Sequence, residues 1–136
     1  MEGDELVSTV NASRWIGSAV DVGDAATLTD WVNSSFTALG GIDGVVANVS
    51  ALAIPESTEN WHTSFDVDLM GTVDLMEAAL PHLLASGAGS VVAISSVSGR
   101  EIDFAAGPYG TRKQPSSTTH RGWPTSSPGK VCGRTR

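Results

Sequence analysis

The sequence predicts an α/β fold: an incomplete, doubly wound parallel sheet in a three-layer sandwich. Three observations carry that expectation. Between Ser18 and Ser98 short apolar runs alternate with stretches of helical periodicity, as parallel strands joined by crossover helices do. The strand-like runs are nearly continuous in apolar residues, which suits strands covered on both faces. Asp21, Asn48 and Ser96 stand at the carboxyl ends of those runs. Open α/β sheets bind ligands there, so all three are expected to face one crevice.

Ser18 to Val22 reads as the first strand, and Gly23-Asp24 as the turn into a helix. In that helix Leu28, Val32, Phe36 and Leu39 recur at three and four residues on one face, and Gly40-Gly41 stops it. Ile42 to Val49 is the next strand. Thr58 to Ala85 is the longest helical stretch, with a stripe of Trp61, Phe65, Leu69, Val73, Met76, Leu80 and Leu84. Pro81 is expected to bend it or end it early. Ser90 to Ser95 is a third buried strand. From about Arg112 the periodicity stops, and Pro, Gly, Ser and Thr dominate, so residues 112–136 are expected to be disordered.

The chain has 136 residues, 40% of them hydrophobic, enough for one domain or a piece of one. Its single cysteine, Cys132, excludes an intramolecular disulfide or a cysteine-based zinc cluster. No apolar run reaches the roughly 18 residues of a membrane span, and the acidic start Met1-Glu2-Gly3-Asp4-Glu5 is unlike a secretory signal. A soluble, cytoplasmic chain is the expectation. Net charge is −7, unevenly distributed: residues 1–111 hold all 15 acidic side chains with only Arg14 and Arg100, and the remaining basic residues follow. Such a basic tail usually suggests nucleic acid or another anionic partner.

Tyr109 and Lys113 stand four residues apart, with Ser96 thirteen residues before the tyrosine at the mouth of a strand. Reducing a carbonyl builds negative charge on its oxygen, so a site for that chemistry needs a proton donor and a second hydrogen-bond donor. A phenol, with an ordinary pKa of about 10, serves near neutrality when a nearby cation favours phenolate. A lysine one helical turn later supplies that charge. Singly, each residue is ordinary: a turn serine, a half-buried tyrosine, a surface lysine.

Taken together, these residues resemble the short-chain dehydrogenase/reductase family over about 100 residues. The resemblance rests on Asp21-Val22-Gly23-Asp24, Gly40-Gly41-Ile42-Asp43, Val45-Val46-Ala47-Asn48, Ile94-Ser95-Ser96 and Tyr109-Gly110-Thr111-Arg112-Lys113, in that order. It implies a partial Rossmann-like domain over residues 1–111 and an NAD- or NADP-dependent oxidoreductase interconverting a secondary alcohol and a carbonyl compound. Tyr109 would be the acid/base, Lys113 its tuner and a ribose ligand, and Ser96 the holder of the carbonyl. Asp21 and Val22 would meet the adenine, and Asn48 would lie beside the cofactor. Asp68 occupies the position where many members have a fourth catalytic residue, an asparagine. An ionised carboxylate accepts but cannot donate, and a solvated acid on the helix surface is the competing reading. His62, His82 and His120 have no ligand-like spacing and read as surface residues; no metal is expected.

Two departures from the family pattern stand out. The Thr-Gly-x-x-x-Gly-x-Gly loop that holds the cofactor pyrophosphate has no counterpart, so the chain reads as truncated at its N-terminus and inactive in this form. The second concerns residues 112–136. Reading each codon's third base with the first two of the next makes that tail compatible with Lys-Ala-Ala-Leu-Ile-His-Tyr and later family-like segments. A one-base frameshift near Thr111 is therefore expected. The implied partners are a small-molecule alcohol or carbonyl substrate and, for the intact parent, a second copy of itself, with no membrane and no nucleic acid. The alternative is a non-catalytic α/β binding or interaction module whose basic arm meets an anionic partner.

Overall fold

The structure is a computed structural model that describes residues 15–101 and 107–113 and the backbone of Cys132 and Gly133. Along the chain lie α1 (Ala25–Leu39), β1 (Gly44–Ala47), α2 (Thr58–Ser64), a π-helical turn (Phe65–Met70), α3 (Gly71–Ser86), β2 (Ser90–Ala93), a 3₁₀ turn (Val97–Gly99), α4 (Gly107–Lys113) and the short β3 (Cys132–Gly133). The strands form one parallel sheet in the order β1-β2-β3. Gly44 is aligned with Ser90 and Ala47 with Ala93.

Local chemistry explains the helix ends. Asp24 caps α1, its Oδ1 accepting from the amides of Ala26 and Thr27 at 3.0 and 3.2 Å and its Oδ2 from the Thr27 hydroxyl at 3.0 Å. Those bonds, from the Thr27 amide and hydroxyl and then the Ala26 amide, hold its carboxyl below the usual carboxylate range. Gly40 stops the helix in the left-handed conformation at φ 76°, its N–H donating to the Phe36 carbonyl. Ser57 caps α2 by accepting from the Asn60 amide at 3.1 Å.

Leu28 and Val32 of α1, Met76, Ala79 and Leu83 of α3, and Val91 of β2 are buried, and Val32 through Val91 form one cluster with Ile42, Val45, Leu75 and Ala78 packed around it. The main helix–helix contact is α1 on α3, over the sheet face that carries Val45 and Val91.

Several expectations are corrected. Ser18–Val22 forms no ladder with β1 or any other described strand, because a strand is defined by its neighbour's hydrogen bonds and the flank of β1 away from β2 has no strand partner among the described residues. Pro81 does not end the long helix early: the helix runs on to Ser86, and the proline sits on the exposed side, where the carbonyl it leaves unpaired can meet water. The strands are covered on one face only: Val46, Val92 and Ile94 are 60%, 38% and 42% exposed. Arg112 and Lys113 belong to α4, and Cys132–Gly133 pairs with β2, so regular structure reaches past residue 111. The rest of the tail lies outside the described residues.

Candidate active site

The long helix starts as α2, widens into the π turn and resumes as α3. The wider turn shifts the side-chain phase, and π turns concentrate at functional sites. Here the turn carries Asp68. Its side chain is fully buried, so Asp68 is no solvated surface acid. Its Oδ2 accepts from the hydroxyl of Ser64, a fully buried residue one helical turn earlier, at 2.9 Å. Its Oδ1 lies 3.6 Å from the Nζ of Lys113, which is also buried.

Three contacts seat α4. Gly110 approaches so closely that a β-carbon there would lie 2.6 Å from the Ser98 carbonyl oxygen, which is why a glycine stands at that point. The Ser95 hydroxyl donates to the Lys113 carbonyl at 2.9 Å, and the Ser64 hydroxyl reaches the Pro108 carbonyl at 3.3 Å. The Lys113 ammonium lies 5.7 Å from the centre of the Tyr109 ring. Arg112 turns the other way, its guanidinium 4.8 Å from the Phe65 ring centre and 5.9 Å from that of Trp61.

Ser96 caps the 3₁₀ turn against which α4 packs, its Oγ accepting from the Ser98 amide at 3.3 Å. Ser96, Tyr109, Lys113 and Asp68 therefore sit on elements that meet at one junction. Ser64 and Ser95 escaped sequence reasoning. The only signals were the four-residue spacing from Ser64 to Asp68 and the doublet Ser95-Ser96.

The residues expected to meet a cofactor are placed differently. Asp21 is exposed and its Oδ1 accepts from the Gly23 amide at 2.9 Å, shaping the turn before α1. Val22 and Asn48 line a crevice of about 260 Å³ with Val20, Trp31, Val46 and Val49. That crevice follows the open flank of β1, and a second of about 310 Å³ continues along it past Ile16, Ile42 and Gly44. Neither contains Ser96, Tyr109 or Lys113. Of the three residues expected to face one crevice, Asn48 lines this groove along the flank of β1, and Asp21 and Ser96 do not line it.

The described residues do not fit a whole dinucleotide. The 260 Å³ crevice has mainly apolar walls and no basic side chain, and no glycine-rich loop at a helix N-terminus offers amides to a pyrophosphate. Among the described histidines, His62 is exposed. His82 is half-buried: it stacks on Phe36 with ring centres 4.2 Å apart and bonds Asn33 at 2.9 Å, so it joins α3 to α1. His120 lies outside the described residues. Among the described residues no cluster could hold a metal, and no helix is long and apolar enough to cross a membrane.

Comparison with known proteins identifies the family. The family model of the short chain dehydrogenases matches residues 2–119. An isoepoxydon dehydrogenase, patN, of Penicillium expansum is 42% identical over 104 residues, 74% of this chain and 40% of its own. The chain thus spans about two fifths of the length of that curated relative. A solved short chain dehydrogenase/reductase from Burkholderia phymatum, in complex with NAD, superposes with a TM-score of 0.83 at 22% identity, over 96% of this chain and 50% of that one, a likeness of fold. Carveol dehydrogenase from Mycobacterium avium, also in complex with NAD, gives 0.67 at 32% identity over 71% and 37%. With the family model matched across most of its length and the tyrosine, lysine and serine on one junction, the chain belongs to the short-chain dehydrogenase family.

Proposed function

We propose that this chain is the part of an NAD- or NADP-dependent oxidoreductase that carries its acid–base residues, that the whole enzyme interconverts a secondary alcohol and a carbonyl compound, and that the chain alone does not turn over. The observation that carries the reading is the packing of α4, with Tyr109 and Lys113, against the turn capped by Ser96. In the reducing direction the Ser96 hydroxyl donates to the substrate oxygen and Tyr109 gives it a proton. Reversed, Tyr109 removes the proton of the alcohol. A proton donor so placed contributes about 10²–10⁴-fold. In enzymes of this class the nicotinamide cofactor supplies or takes the hydride, and its pyrophosphate needs a cradle that the described residues do not provide.

The test compares turnover of NADH and NADPH with a panel of ketones, and of NAD and NADP with secondary alcohols, by this chain and by the chain extended to the length of its relatives. Activity only in the extended protein is the expected result. Within it, Tyr109→Phe lowers kcat by about 10²–10⁴-fold. Turnover by the chain alone would refute the reading. Sequencing the coding DNA tests the companion proposal, a shifted frame near Thr111; a frame without family-like continuation removes it.

A further inference from the structure

We infer that Asp68 is a positioning residue: its carboxylate acts as an internal counter-ion that holds the Lys113 ammonium and screens the charge of that ammonium from the Tyr109 phenol. The significance of this inference rests on the acid–base role proposed for Tyr109, but its geometry does not. Both side chains are nearly removed from water, Asp68 at 0% and Lys113 at 8% exposure. There a charge 3.6 Å away acts through a medium far less screening than water. The Asp68 Oδ2 is occupied by the Ser64 hydroxyl. Its Oδ1 has no hydrogen-bond partner among the described residues and is left for the ammonium.

Lys113 is held at its other end as well, because the Ser95 hydroxyl takes its carbonyl. The distance of 5.7 Å between ammonium and ring is therefore fixed by α4, the end of β2 and the π turn together. Among the described residues, the other charged groups on the elements packed against α4 are exposed or face away from the pair. Glu59 and His62 on α2, Asp66 on the π turn and Arg100 after the 3₁₀ turn are exposed, and Arg112 faces Phe65 and Trp61. An asparagine at position 68 would offer an amide and leave the lysine's charge to act alone. The aspartate opposes it.

Tyr109 is the only tyrosine of the chain, so the phenol can be read directly, without turnover. Tetranitromethane nitrates phenolate, and the yield of nitrophenol at fixed mild alkaline pH reports how readily Tyr109 gives up its proton. Asp68→Asn is expected to nitrate about tenfold faster than the parent and Lys113→Met about tenfold slower, one unit being the lower end of the effect of a neighbouring charge. The neutral double variant, Asp68→Asn with Lys113→Met, should nitrate at the parent rate. Without screening, Asp68→Asn would match the parent and the double variant would fall with Lys113→Met; either result overturns the inference.

Single variants remove one member of a buried pair, a change that can cost the fold. Helical circular dichroism identifies such a loss. The double variant removes both members of the pair, so its comparison with the parent decides the matter. Because no turnover is measured, failure of the extended enzyme to act on any alcohol would leave this result standing, and the reverse holds as well.

Discussion

Asp24 shows how much one side chain at a turn controls. Its carboxyl is held below the ordinary range by three hydrogen bonds to the start of α1, the Thr27 amide foremost. A group whose folded pKa is depressed contributes stability that is fully present above its unfolded pKa, near 4, and lost as pH falls through the folded value. Acid unfolding followed by circular dichroism should therefore begin at higher pH in the parent than in a chain of equal stability at neutral pH that lacks this contribution. Asp24→Ala should lower the thermal midpoint at neutral pH and remove that part of the acid dependence. Gly71 has a steric reason: a β-carbon would lie 2.8 Å from the Val22 carbonyl oxygen. Gly71→Ala should cost about 1–3 kcal/mol in urea unfolding, the usual cost of overpacking, by prising the start of α3 from the turn at Val22.

Among the elements, those with strong local signals were legible in the sequence. Leu28, Val32 and the Gly40 stop defined α1, and Val45-Val46 and Val91-Val92 marked the two strands. What escaped depended on partners distant in sequence. Ser18–Val22 looks like a strand, but its own residues cannot supply the neighbour that a ladder requires. The burial of Asp68 was hidden although it stands seven residues after Trp61, on nearly the same side of a helix, because a carboxylate at the margin of an apolar stripe reads as solvated until its cation partner is placed. The junction of Ser96, Tyr109 and Lys113 was legible only through its resemblance to a family, since spacing alone says nothing about whether a serine after one strand meets a helix beyond it. The core beneath was predictable and testable. Leu83 of α3 is 1% exposed against Val32, Met76 and Val91. Leu83→Ala should destabilise by about 2–5 kcal/mol, measured by denaturant unfolding.

At the scale of the whole molecule, one sheet face and one sheet flank dominate solution behaviour. Val46, Val92 and Ile94 lie on the exposed face, and β1 has no strand partner among the described residues on the side away from β2, the arrangement that promotes edge-to-edge association. Val46→Lys puts a charge on both features. It should raise the protein concentration at which light scattering detects self-association, while helical circular dichroism is unchanged. Equal scattering by the two proteins would show that association starts elsewhere.

The partial cover also determines how the protein can be watched. Of its four indoles, those of Trp15 and Trp31 are already 45% and 37% exposed, while Trp61 is half-buried with the Arg112 guanidinium 5.9 Å from its ring centre. Emission from these three in the native state should be red and should move little on denaturation, apart from whatever Trp61 contributes when the cation leaves it. To a fluorimeter, Trp15 and Trp31 would thus look half melted in a well-folded sample.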